Sequence, residues 1–226
     1  DCNIDIGKFW SEVTQYSRDN KMDPTLSYML LLEDKMHEAN LEITKQNFQN
    51  YGRQLELFKG VNEWFSRIKQ YGKSNNVEIE HYIISSGLTN MIEGCSFNDQ
   101  IDRIYACEYI FKNGRGHWPK LSVNYSNKVQ FIYRIHKGAF EVHDQDGVNQ
   151  KKYFGDHIHV PFENMIFFGD GETDVPTFNV LNKNNGKSVC VYEDKNQKSI
   201  DIANKLFSDG RVHHLVKNDY TENSEI

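Results

Sequence analysis

Asn164-Met165-Ile166-Phe167-Phe168-Gly169-Asp170-Gly171-Glu172-Thr173-Asp174 is the stretch on which the fold turns. Its apolar run, Met165 to Phe168, reads as a buried strand that stops at Gly169-Asp170-Gly171, with Asp174 following about one helical turn later. Two glycines let a backbone turn sharply where a strand ends. The two carboxylates, Asp170 and Asp174, then stand at the carboxyl edge of a sheet, where open α/β folds bind ligands. Hard oxygen donors in a crowded loop suit Mg²⁺, which takes carboxylates, waters and substrate phosphate. The same residues also fit a plain strand-to-helix turn in which Asp174 caps the helix.

Working outward, helix and strand patterns alternate from residue 60 onward. Val61 to Tyr71 is amphipathic, Glu78 to Ser85 reads as a strand, Leu88 to Gly94 opens a helix, and Ile101 to Ile110 is strand-like. Val129 to Ile135 reads as helix, Val175 to Leu181 as another, and Ser188 to Tyr192 as a further buried strand. Strands separated by helices imply an α/β fold with a parallel sheet covered on both faces. The stretch Lys112 to Pro161, richer in Gly, His, Asp and Asn, is expected to carry hairpins or loops beside that sheet.

Residues 8–58 differ, reading as helices without strands. Phe9-Trp10, Val13 and Tyr16 recur at helical spacing, and Asp23-Pro24 reads as an N-cap with Pro at the first helical position. Thr44 to Phe58 is expected to form a third helix with Phe48, Tyr51, Leu55 and Phe58 on one stripe. These stripes are read as helix-packing faces.

The chain of 226 residues is long enough for one good core, or a core with a small accessory unit. A hydrophobic content of 38% and only 4 prolines mark it as globular. A net charge of −6 with Lys and Arg spread along the chain excludes the basic footprint of a nucleic-acid binder. No apolar run approaches the roughly 20 residues of a membrane span, and no signal-peptide pattern opens the sequence. Cys2, Cys95, Cys107 and Cys190 are far apart without a C-x-x-C pair, so a reducing cytoplasm is the expected compartment.

Two further elements bear on chemistry. Ser86-Gly87 ends the strand of residues 78–85, where a hydroxyl and backbone N–H groups can meet an anion or simply cap the next helix. Lys128 opens the Val129–Ile135 segment, where a lysine is either a site cation or an ordinary solvated residue. The order strand–Ser86, then Lys128, then Gly169-Asp170-Gly171-Glu172-Thr173-Asp174 resembles the haloacid-dehalogenase-like hydrolase superfamily, most closely its phosphatases of phosphoserine-phosphatase type. The resemblance covers roughly residues 55–195.

That resemblance implies a Rossmann-like parallel sheet with helices on both faces plus a small helical cap. Residues 59–226 would form the core, 8–58 the cap, and 1–7 a remnant of the core's N-terminus. It implies an aspartyl-phosphate intermediate, Mg²⁺ as cofactor, Ser86 and Gly87 on the phosphoryl oxygens, and Lys128 neutralising nucleophile and phosphate. Asp170 would be a direct metal ligand and Asp174 would support the metal and its waters. The family's first motif, Asp-x-Asp-x-Thr/Val after an apolar run, does not match Asp1-Cys2-Asn3-Ile4-Asp5. Residues before Asp1, or residues lost after Cys2, would restore it; a non-catalytic relative would lack it. A parallel sheet without its central strand would leave an unpaired gap, which favours missing residues and makes Asp1 the expected nucleophile and metal ligand.

The expected function is thus Mg²⁺-dependent hydrolysis of a small phosphorylated metabolite, without nucleic-acid or membrane partners. The alternatives are a non-catalytic binding protein and a phosphotransferase of the same fold. Other patterns are set aside. Asp144-Gln145-Asp146-Gly147 imitates the first motif but lies between Lys128 and Asp170, so it reads as a turn. Gly186-Lys187-Ser188 lacks the upstream Gly of a P-loop. His157-Ile158-His159 and His213-His214 lack further ligands at zinc spacing.

Overall fold

The computed structural model describes residues 5–149 and 158–226. Asp1, Cys2 and His157 lie outside the described residues. The chain divides into two compact units, Asp1–Glu56 with Ile68–Asn124, and Leu57–Arg67 with Tyr125–Ile226.

The first unit begins with three helices: α1 (Ile6–Asn20), α2 (Pro24–Glu38) and α3 (Lys45–Arg53). Each start is written in the sequence. Asp5, Asp23 and Thr44 are N-caps whose side chains accept from N–H groups of the first turn, and Pro24 occupies the position where a missing N–H costs nothing. Helix α3 ends at Arg53, short of the expected Phe58. Phe48 is buried, but Leu55 and Phe58 are each 48% exposed and belong to no helix. Their apolar spacing continues the helical period past the point where the backbone turns back at Gln54 onto Tyr51 and Gly52 carbonyls.

Helix α4 (Val61–Ser74) follows, and the division between units falls within it after Arg67. Then come β1 (Tyr82–Leu88), the short α5 (Thr89–Ile92), β2 (Arg103–Lys112) and β3 (Arg115–Leu121). Residues 78–81, read as the start of β1, are not strand. The sheet order is β1-β2-β3, with β1 and β2 parallel and β2 and β3 antiparallel. The hairpin turns at Asn113 and Gly114, both at positive φ (53° and 80°), the conformation an Asn-Gly pair adopts most cheaply. Phe48 stacks on Tyr109 with ring centroids 6.1 Å apart, and both are buried.

The second unit contains α6 (Lys128–Lys137), α7 (Gln145–Asn149), β4 (Ile166–Gly169), α8 (Val175–Lys183), β5 (Lys187–Tyr192), α9 (Gln197–Ser208) and β6 (His214–Lys217). Its sheet runs β4-β5-β6, all parallel. Phe178 of α8, Cys190 of β5, Ala203 and Leu206 of α9 and Val212 form a buried cluster against which Phe167 packs. The strand β4, read as buried, covers only one of its faces: Ile166 is 61% exposed and Phe168 37%. The sequence patterns of an α/β fold with parallel strand pairs and flanking helices are therefore realised, but as two three-stranded sheets with one antiparallel hairpin. Among the described residues no helix is long and apolar enough to cross a membrane.

Candidate active site

The end of β4 is built around one carboxylate. Asp174 is 2% exposed and closes a single 3-10 turn, Glu172–Asp174, that leads into α8. It occupies the N-cap position but makes no capping bond with its side chain. One oxygen, Oδ1, instead accepts from Lys128 Nζ at 2.7 Å, and Oδ2 accepts from the backbone N–H of Asp170 at 3.1 Å. The carboxylate thus folds back over the strand end. Gly169 is what permits this, because a Cβ there would sit 2.6 Å from Asp174 Oδ2 and 2.8 Å from the Phe178 ring. Gly171, read as the second turn-making glycine, has φ −175°, and a Cβ there would meet nothing within 4 Å, so neither space nor torsion demands glycine.

Lys128 is 8% exposed and begins α6. The helix buries Phe131, Ile132 and Ile135 and ends on Gly138 in the left-handed region, so its packed face carries Lys128 inward and away from water. A buried ammonium needs a partner, and Asp174 supplies it.

Asp170 is exposed at the strand's end, one residue past β4. Its carboxyl is pushed above the ordinary aspartate range, chiefly by the atoms that strip part of its hydration and then by the charge of Asp174, with Lys128 pulling the other way. Water still reaches the group, so this push is that of a crowded rim and not of a sealed interior. Beneath it, the fully buried Cys190 thiol is pushed up to about 11 by burial and by the two aspartates, which leaves it protonated and inert.

The donor set suits a hard divalent cation. Two carboxylates within one short turn, one exposed and one held by a lysine, supply oxygen ligands and a like-charge pair that a cation relieves. Among the described residues no group of three or more His, Cys, Asp or Glu gathers as a complete protein cage.

Ser86 and Gly87 belong to the other unit, at the carboxyl end of β1. Neither caps α5, whose N-cap is Leu88 without a side-chain bond. It is Ser85 Oγ that accepts from Gly87 N–H, at 3.0 Å, while the Ser86 carbonyl accepts from the Tyr28 hydroxyl at 2.7 Å. The structure therefore brings Lys128, Asp170 and Asp174 together in one unit and sets Ser86 and Gly87 in the other; Asp1 is outside the described residues.

One neighbour of Asp170 has no signal in the sequence. Tyr220 lies in the polar segment Asp219 to Ile226, which carries no motif, yet its N–H donates to the Lys59 carbonyl and its carbonyl accepts from Arg67. Its ring meets Trp64 edge-on at 5.8 Å, Trp64 in turn meets Phe168 at 5.7 Å, and its phenol is pushed up by burial and then by the Asp170 charge. The patterns set aside above are structural. Asp144 accepts from Gly147 N–H at the start of α7, Lys187 opens β5, and His213 Nδ1 lies 3.0 Å from Ser188 Oγ.

No family model matches the chain. An uncharacterized protein of Borreliella burgdorferi is 28% identical over 253 aligned positions, covering 99% of this chain and 85% of its own length. The solved structure of a HAD family hydrolase from Salmonella enterica serovar Typhi superposes with a TM-score of 0.56 over 92% of this chain. The fold is similar to that of this HAD family hydrolase. At 16% sequence identity the likeness is one of architecture, and the chain spans 56% of the length of that hydrolase.

Proposed function

We propose that the protein is a Mg²⁺-dependent phosphomonoester hydrolase of the phosphoserine-phosphatase type, acting on a small phosphorylated metabolite. The observation that carries this reading is the buried Lys128–Asp174 pair hydrogen-bonded to the backbone of an exposed Asp170 at the carboxyl end of a parallel strand. Phosphoryl transfer asks a protein mainly for positioning and charge neutralisation, and this cluster has the groups for both. Mg²⁺ bound through Asp170, with Asp174 behind it, would supply charge neutralisation at the phosphoryl oxygens. Asp174 fixes the Asp170 backbone and the Lys128 ammonium with its two oxygens. Lys128 meets the negative charge of nucleophile and phosphate, and Ser86 and Gly87 hold phosphoryl oxygens. Asp1 is the proposed nucleophile: its carboxylate would take the phosphoryl group as the P–O ester bond breaks and the alcohol leaves with a proton from water, and a second water would then cleave the aspartyl-phosphate to free carboxylate and inorganic phosphate. The free buried thiols Cys95, Cys107 and Cys190 accord with a reducing, cytoplasmic setting.

The test is phosphate release from an aryl phosphate by the full-length protein in Mg²⁺ and then in EDTA, with Asp170→Asn alongside. Mg²⁺-dependent release that the variant loses is the expected result. Failure of the folded protein on the aryl ester and on a panel of phosphorylated metabolites would replace this reading with a binding-only one.

A further inference from the structure

Helix α2 reaches the Ser86 loop directly. Tyr28, buried at mid-helix, donates its hydroxyl to the Ser86 carbonyl at 2.7 Å. The fully buried Cys107 thiol lies within hydrogen-bonding reach of the same hydroxyl and itself accepts from Val123 N–H at 3.2 Å, so the phenol is fixed from behind.

The bond falls where the β1–β2 ladder is interrupted. Register passes from Ser85↔Ala106 straight to Leu88↔Cys107, so Ser86 and Gly87 stand out of the ladder as a bulge. A bulge loses its strand partners and must find others. Gly87 N–H is taken by Ser85 Oγ, and the Ser86 carbonyl by Tyr28. Helix α2 is in turn held at two other points, one by the segment that follows β3 and one by β2. Asp23 Oδ2 accepts from Asn124 at 2.6 Å, and the Tyr109 hydroxyl donates to the Met29 carbonyl at 2.6 Å.

We propose that Tyr28 is a positioning residue that holds the Ser86-Gly87 bulge in the shape that receives a phosphoryl group. The role rests on the reading of Ser86 as a phosphate ligand. It adds a residue from the helical segment, 58 positions away, to the determinants of phosphate affinity.

The geometry supplies its own control. Tyr109→Phe removes a buried tyrosine hydroxyl bond to the backbone of the same helix without touching Ser86. Tyr28→Phe keeps the ring and its edge-on contact with Trp10. In the full-length protein, hydrogen exchange of residues 86–88 and calorimetric titration with inorganic phosphate would be compared for wild type, Tyr28→Phe, Tyr109→Phe and Ser86→Ala. Tyr28→Phe is expected to speed exchange at 86–88 and to weaken phosphate binding by about fivefold, the worth of one hydrogen bond, while Tyr109→Phe changes neither. Equal effects of the two tyrosine variants, or no effect of Tyr28→Phe where Ser86→Ala weakens binding, overturn the role of Tyr28 and leave the phosphate site standing. Phosphate binding indifferent to Ser86→Ala overturns the site reading, and the role of Tyr28 with it.

Discussion

Lys128 and Asp174 form an ion pair of 2.7 Å in which neither side chain is more than 9% exposed. Removing two charges from water is costly, and their attraction offsets that cost only when the remaining hydrogen-bonding capacity is used. Here Asp174 also accepts from the Asp170 N–H, so the pair both stabilises itself and fixes the strand end. The surface pair Lys205–Glu172, about two-thirds exposed on both sides (66% and 65%), contributes little by comparison.

Breaking the buried pair from one side is therefore expected to be expensive. Lys128→Met or Asp174→Leu alone should lower stability by about 3–5 kcal/mol, since each leaves an uncompensated buried charge. The double variant should recover most of that loss. Denaturant titrations of the four proteins give the coupling, and additive losses would show that the two groups are not paired in solution.

Asp170→Asn should behave in the opposite way. The side chain is exposed and its structural link is the backbone N–H, which the variant keeps, so stability should change by no more than about 0.5 kcal/mol. Mg²⁺-dependent phosphate release should fall on the order of 10²-fold or more, as for loss of one preorganised electrostatic group. A folded variant that keeps full activity would remove Asp170 from the site.

Asp102 offers a pH test away from that chemistry. Burial alone would raise its carboxyl, but the His81 N–H at 2.7 Å and Lys69 at 3.0 Å outweigh it and hold the group below its ordinary value of 3.8. A depressed folded-state value means that the unfolded chain binds the proton more readily. The stabilisation is then complete above the unfolded value of 3.8 and is lost as pH falls through the lower folded value. Asp102→Asn should lose less than about 1 kcal/mol at neutral pH, given the partial exposure of both partners, and that difference should vanish in acid. A wild-type-to-variant gap that persists in acid would assign the effect to packing.

How far the sequence can be read depends on whether the deciding physics is local. Asp23-Pro24 announces the start of α2 because capping is settled within four residues. The Gly169 to Asp174 turn does stand at a strand end, although only Gly169 proves to need its missing side chain. Lys128 is indistinguishable in sequence from a surface lysine, since its burial comes from α6 packing and from a carboxylate 46 positions away. The end of α3 falls earlier than its pattern suggests because Leu55 and Phe58 keep a helical period while each stays 48% exposed, so the spacing does not mark a buried helix face. The β2–β3 hairpin lacks apolar alternation in Arg115-Gly116-His117-Trp118-Pro119, and Asn113-Gly114 is its local signal. Tyr28 and Tyr220 carry no motif at all; distant backbone groups give each its place.

The crossing of α3 and α5 gives a further expectation. A Cβ at Gly94 would collide with the Gln49 carbonyl, and one at Gly52 with the Met91 carbonyl, so the two backbones approach through reciprocal glycines. Gly94→Ala should destabilise by about 1–3 kcal/mol, the cost of overpacking, in thermal or denaturant unfolding. An unchanged midpoint would mean that the backbones do not meet this closely.

The three tryptophans are divided in a way that makes the protein its own optical instrument. Trp10 and Trp118, 50% and 67% exposed, sit in the first unit, and Trp64, 8% exposed, sits in the second against Phe168 and Tyr220. A chain carrying Trp10→Phe and Trp118→Phe would emit only from the vicinity of Asp170, in the blue, while Trp64→Phe would leave two red-shifted indoles reporting on α1 and the hairpin. Melting curves recorded on the two chains would reveal whether the units lose their structure in one step or in succession.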